Sequence, residues 1–270
     1  MSMPKLRFKD KKGWDFPDWE DKVFGDIALF FKGKGISKAD ISPDGNTLCI
    51  RYGELYTEYR ETIKEVKSRT NVNHNGLQLS KFNDVIIPAS GESEIDIAKA
   101  SCVLLSNVAL GGDLNIIRSK ENGVFLSYYL NGKKKLDIAK LAQGISVIHL
   151  YSSQLKLLDL KIPSFQEQTK IADFLMAVDE KIAQLTQKCE LLSHYKKGVM
   201  QQIFSQELRF KDDDGSDFPD WKNIKLDKII SERAEISDDA EVPTYSLTIQ
   251  DGVTPKTDRY EREHLVRNEK

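Results

Sequence analysis

The chain has 270 residues, 40% hydrophobic and 30% charged, with a formal net charge of −2. That is the make-up of a globular chain with enough apolar residues for a core, and no apolar run approaches the ~18 residues of a membrane helix. A charge so near zero does not by itself announce a nucleic-acid binder. Cys49, Cys102 and Cys189 are odd in number and far apart, and read as reduced thiols. The opening residues 1–5 carry no signal-like apolar region, so the chain is expected in the cytoplasm.

Residues 6–19, LRFKDKKGWDFPDW, return at 208–221 as LRFKDDDGSDFPDW, with 11 of 14 positions identical. A period near 200 is far longer than solenoid or propeller units of roughly 20–50 residues. The chain therefore holds one large module and the doorway into a second copy of it. Within the doorway, Asp15-Phe16-Pro17-Asp18-Trp19 reads as a turn that sets two aromatics on a neighbouring surface.

Residues 20–163 follow, with 19 Lys/Arg against 17 Asp/Glu. Val85–Ile87, Cys102–Leu105, Leu114–Ile117 and Ser146–Leu150 are predicted strands bounded by Gly, Asn or Ser. Tyr56–Lys67, rich in Glu and Lys, and Val124–Leu130 are predicted helices. The reading is an α+β (mixed α/β) domain followed by a long coiled-coil helix.

That helix is predicted from about Ser164 to Gln206. Pro163 marks its start, and Ser164 with Glu167 has the spacing of a capping box. Ile171, Leu175, Val178, Ile182, Leu185, Cys189, Leu192, Val199 and Ile203 recur in alternating steps of four and three, broken only at Lys196. This is a heptad seam, too narrow for a helix sunk in a core, and it must find a partner. Lys196 and the nearby Gly198 mark where packing loosens. Residues 207–270 carry 11 Lys/Arg against 17 Asp/Glu and repeat only the first steps of the module. The end of this tail is expected to be poorly ordered or carried by a partner.

This order of parts resembles the DNA-specificity subunits of type I restriction–modification systems, which alternate two target-recognition domains with two helical spacers. Ile162–Ala172 is similar to the family's spacer start, and Ala142–Val147 with Leu155 and Leu157 to the loop and strand that close a recognition domain. Tyr195–Gly198 and Gln201–Phe210 look like the end of the spacer and the start of the next domain. The resemblance implies a target-recognition domain over 1–163, a spacer over 164–206, and the start of a second recognition domain over 207–270. It also implies double-stranded DNA, modification (methyltransferase) subunits and a restriction (nuclease/translocase) subunit as partners, with a homodimer through the spacer and no membrane. No cofactor is expected in this chain; S-adenosylmethionine, ATP and Mg would serve the partner subunits.

Motifs of catalysis are nearly absent. The eight prolines are isolated, which excludes the Pro-Pro loop of an amino-methyltransferase, and Gly33-Lys34-Gly35 lacks the rest of a P-loop. Cys and His have no zinc spacing. His149, in an apolar run, reads as a core or edge histidine. Asp44 with Glu65-Val66-Lys67 mimics a metal-dependent nuclease set, but Asp44 falls in a predicted turn and Glu65 in a predicted helix, where such a site needs adjacent strands. A binding reading needs side chains that reach bases and others that hold phosphates. The candidates are Lys32, Lys34, Arg51, Tyr52, Tyr56, Ser90, Gly91, Lys140, Gln143 and Gly144, with the glycines expected to allow close backbone approach to phosphate. The alternative is a coiled-coil interaction or decoy module that does not touch DNA.

Overall fold

The computed structural model describes residues 7–73, 75–144, 147–232, 245–249 and 252–255. The expectation for the end of the tail, and the start of the strand foreseen at Ser146, lie outside the described residues. The chain divides into two compact units, 1–197 and 198–270.

The first unit is built on a five-stranded sheet in the order Ala28–Lys32, Leu114–Ser119, Asp84–Pro88, Ser101–Val103, Thr62–Ile63. The first three junctions are antiparallel and the last is parallel. Successive side chains of a strand face opposite ways, and here both faces are covered. Val85, Ile87 and Ile117 join a core with Phe125, Leu126 and Leu130 of the helix Gly123–Gly132. Ile86 and Ile116 join a second core with Ile50, Leu55 and Leu110. That explains why Val85-Ile86-Ile87 is apolar without alternation. A four-stranded sheet, Arg69–Thr70, Thr47–Ile50, Ala109–Leu110, Gln78–Leu79, backs the second core.

The helix expected over Tyr56–Lys67 is not formed: only Glu54–Thr57 is helical, and Thr62–Ile63 pairs parallel with Cys102–Val103. The Glu/Lys spacing is worth a few tenths of a kcal/mol per pair. It loses to the burial of Tyr59 and Ile63 and to a closed sheet edge. The strand expected to end at Leu150 is reduced to Ile148–His149.

The long helix runs Phe165–Phe204, 40 residues or about 60 Å. Ser164 caps it by accepting from the Glu167 amide (3.4 Å). The reciprocal arm of the box is not made, because Glu167 is buried and takes Arg7 instead, at 2.9 and 3.3 Å. Gln168, fully buried, accepts from the Asn122 amide (2.9 Å) and donates to Glu121 (2.6 Å) and to the Pro163 carbonyl (2.9 Å). Ala172 enters the core, and the Tyr128 hydroxyl donates to Asp179. Every residue from 180 to 197 is exposed. The first four turns are thus clamped to the domain and the next five stand clear, with Ile182, Leu185 and Leu192 about half exposed.

Residues 7–19 form a small hairpin closed by a Lys9–Asp15 bridge, with Gly13 at φ +85° in the left-handed region. Trp19 reaches the core, edge-on to Phe125 and Tyr129 at 6.0 and 6.3 Å, as the turn predicted. In the second unit the long helix ends at Phe204, Gln206 at φ +66° turns the chain out, and the Leu208 amide donates to the Gln202 carbonyl. Residues 209–221 then repeat the hairpin, with a Lys211–Asp217 bridge and Gly215 at φ +84°. Beyond it lie the antiparallel strands Tyr245–Thr248 and Gly252–Pro255.

Candidate nucleic-acid interface

Most of the candidate residues fall along one backbone ladder at an edge of the first unit. The loop leaving Ala28–Lys32 begins it: the Gly33 amide donates to the Leu114 carbonyl and the Lys34 amide to the Leu110 carbonyl, both at 2.9 Å. A Cβ on Gly33 would lie 1.9 Å from the Gly111 oxygen, and Gly35 sits at φ +73°. These glycines are required for internal crossing and turning. Lys32 and Lys34 are left exposed on either side.

On the far flank of this crossing the Gly111 amide donates to the Ile50 carbonyl (2.8 Å), which puts Arg51 next. Glu54 takes both ends of that residue, the amide at 2.7 Å and the guanidinium at 3.7 Å, and also accepts from the Ser68 hydroxyl. Arg51 Nε is buried with no hydrogen-bond partner among the described residues. Tyr52 is exposed and edge-on to Tyr56 at 6.5 Å. The Tyr56 hydroxyl donates to the Ser90 carbonyl (2.9 Å), and burial, with Asp96 nearby, holds it well above the ordinary tyrosine range.

The ladder continues through Ala89, whose amide donates to Asp113 (2.7 Å) and whose carbonyl accepts from Leu150 (3.0 Å). Ser90–Gly91 pairs antiparallel with Ile148–His149, and a Cβ on Gly91 would meet Tyr56 Oη at 2.8 Å. The Ser90 hydroxyl lies 3.3 Å from His149 Nδ1, which makes that histidine an edge residue stacked on Tyr151. His149 and Gln143 exchange two backbone bonds of 2.9 and 2.7 Å, and Gly144 at φ +138° turns the chain where a Cβ would lie 2.0 Å from the Val147 oxygen. Gln143 and Lys140 are exposed.

Tyr52, Tyr56, Ser90 and Gly91 line one cleft of about 980 Å³, together with Lys99, Lys135, Glu92, Asp96 and Asn131. Burial pulls the Lys99 ammonium below the usual lysine value, against Glu61. Sequence reading passed over Lys99 and Lys135, although Lys133-Lys134-Lys135 is a visible basic run. The cleft thus offers aromatic faces, donors and acceptors side by side, the mixture that suits base edges more than a row of phosphates.

The nuclease set does not assemble. Asp44 sits in a turn as expected, but Glu65 lies in a loop, not a helix, and the Lys67 ammonium pairs with Glu58. Among the described residues no three His, Cys, Asp or Glu converge as a metal site, and no helix is long and apolar enough to cross a membrane.

Residues 17–193 match the family model described as the type I restriction modification DNA specificity domain. The chain belongs to this family. A type I restriction enzyme MjaVIII specificity subunit from Methanocaldococcus jannaschii is 26% identical over 235 residues, which are 83% of this chain and 52% of that protein. The putative MjaX specificity subunit of the same organism is 28% identical over 126 residues, 43% of this chain and 30% of that one. The fold is that of the S subunit of a type I restriction–modification system from M. genitalium, with a TM-score of 0.52 at 18% identity over 76% of this chain and 49% of that one. A chain from a structure on complex assembly and conformational transition of the type I R-M system aligns with a TM-score of 0.51 at 16% identity, over 73% and 48%. The chain spans about half the length of the longer-matching relatives. For the specificity-domain family, the mixed domain with its heptad-bearing helix is the expected architecture.

Proposed function

We propose that this chain is a non-catalytic DNA-recognition subunit with one recognition domain, which pairs with a second copy through its helix and docks modification and restriction subunits. The observation that carries the reading is the ladder: in a domain of the specificity family, it sets Lys32, Lys34, Tyr52, Ser90, Gly91 and Gln143 along one edge. Lys32 and Lys34 hold phosphates at one end, and the cleft around Tyr52 with Gln143 meets base edges at the other.

The seam, about half exposed at Ile182, Leu185 and Leu192 while Ile171 packs against the first core, supports self-pairing. Antiparallel helices place a positions against d positions, and this seam matches itself when centred at about residue 187. Ile171 then faces Ile203 of a second copy, Leu175 faces Val199, Val178 faces Lys196, Ile182 faces Leu192 and Leu185 faces Cys189. Each layer but one is wholly apolar, and the exception brings Lys196 near Asp179 of the other chain. A two-fold dimer reads a split, near-palindromic site.

Gel shifts with random and selected duplexes test this, with and without modification subunits. Weak binding by the chain alone and sequence-selective binding with the subunits are expected, because the charge is near neutral. A chain that joins the subunits but adds no sequence preference would leave the decoy reading in its place.

A further inference from the structure

The first hairpin is a key seated in a lock. Arg7 pairs with Glu167, which is 1% exposed, and the Phe8 ring lies 5.5 Å from Phe174. Lys170 donates to the Lys9 carbonyl (2.6 Å) and lies 6.0 Å from the Phe16 ring. The second hairpin has the same internal build. Arg7 Nη2 donates to the carbonyls of Phe16 and Pro17 at 3.1 and 2.8 Å; Arg209 Nη2 donates to those of Phe218 and Pro219 at 2.7 and 2.8 Å.

Each residue by which the first hairpin docks has an identical counterpart: Arg209, Phe210, Lys211, Phe218 and Trp221. The three positions that differ, Lys11, Lys12 and Trp14 against Asp213, Asp214 and Ser216, all lie at the exposed tip. Yet among the described residues the second key meets no such lock, its Trp221 lying edge-on to Phe204 at 6.2 Å. Arg209 pairs with Asp220, which is 94% exposed, while Phe210 is 68% and Trp221 53% exposed.

We propose that the second hairpin docks on the helix start of a second copy, with Arg209 on that copy's Glu167 and Phe210 on its Phe174, in exchange with the first hairpin. It does not reach Glu167 of its own chain. Roughly 56 Å of helix separates Glu167 from Phe204, and the four residues that follow span at most about 14 Å. The inference rests on the antiparallel pairing proposed above, which sets Ile203 beside Ile171 of the second copy and so starts the hairpin next to residues 167–174. Two identical keys then compete for one lock, the geometry of a domain swap.

Disulfide capture separates the two ideas. In the full chain, Leu185→Cys beside native Cys189 reports the pairing register. Phe174→Cys with Phe210→Cys, in a Cys189→Ser background, reports the docked hairpin. Cys49 and Cys102 are buried and do not compete. Both cross-linked dimers are expected to form. The second should form about 10-fold faster when Arg7→Ala and Phe8→Ala vacate the lock, because the resident key acts at high effective concentration. Arg209→Ala should abolish it. Capture of the first pair without the second, in both the intact and the vacated chain, overturns the docking and leaves the pairing standing. Failure of the first pair overturns the register, and a second-pair cross-link indifferent to Arg209→Ala overturns the key.

Discussion

The two hairpins give an internal control for the worth of one arginine. Arg7 and Arg209 make the same bonds to their own turns, but Arg7 adds two charge-assisted bonds to a carboxylate that is 1% exposed. Each also reaches an exposed aspartate, Arg7 to Asp18 at 3.6 Å and Arg209 to Asp220 at 3.0 Å, so the Glu167 bonds are the difference between them. Removing one partner of a buried pair costs about 3–5 kcal/mol, because the other charge is left without compensation. Breaking an exposed pair costs about 0–1 kcal/mol. Arg7→Ala is therefore expected to lower the unfolding midpoint by roughly 10 °C, at about 2–4 °C per kcal/mol for a unit of this size. Arg209→Ala should shift it by no more than about 4 °C on the same scale. Calorimetry and urea denaturation at low protein concentration measure both. Should the hairpin lift to hydrate Glu167, trypsin would cut faster at Lys11-Lys12 in Arg7→Ala, so the two variants still differ. A cycle with Glu167→Ala should return a coupling of about 2 kcal/mol or more. Equal effects of Arg7→Ala and Arg209→Ala would refute the claim that Glu167 holds the first hairpin.

Replacing Leu185 and Leu192 by Asp places charge in the seam and should leave a monomer by light scattering; a monomeric unmodified chain would remove the pairing itself. Lys32→Ala and Lys34→Ala should weaken specific and random duplexes alike and flatten the salt dependence, whereas Gln143→Ala should cost about 1–3 kcal/mol on the specific duplex alone. Arg51→Ala belongs with the second group if its guanidinium leaves Glu54 for a base, and loses stability instead if it stays. Burial pushes the thiols of Cys49 and Cys102 up to about 11 and about 12, so both stay protonated through pH 9 and a maleimide should label Cys189 alone. That labelling should slow as the chain concentration rises and the seam closes over Cys189. Tyr128→Phe removes the hydroxyl bond to Asp179 and should cost about 1–2 kcal/mol, read as faster amide exchange in the helix around that turn.

What could be read from the sequence was whatever repeats or keeps a period. The hairpin declared itself by a second copy, and the helix by nine apolar seam positions that no globular face would need. Val85–Ile87 and Leu114–Ile117 were legible because strands covered on both faces are simply apolar. The segment after Tyr56 was not, because its Glu/Lys spacing speaks only of local pairs while its fate was decided by Cys102–Val103, some 40 residues on. The candidate loops were named one by one, but nothing local says that Gln143 meets His149 or that Ala89 hangs on Asp113. Lys99 and Lys135 escaped because a cleft between distant segments leaves no spacing to notice. Arg51 was legible as a basic residue near the right place, but not as one already held by Glu54.

The ladder along the edge is tied by main-chain bonds, and its sharpest demands fall on glycines: Gly33, Gly91 and Gly144 sit where any Cβ would strike an oxygen. Lys32, Lys34 and Gln143, interleaved with them, lend their main chain to the ladder but leave their side chains exposed, and Tyr52 lines the cleft edge-on to Tyr56. The edge is thus a rack with fixed pegs and exchangeable fittings. On the proposed reading, changing what this edge meets requires no repacking, so new preferences can be tried one side chain at a time with the frame unmoved, whereas a single methyl group added at a peg would distort the frame itself.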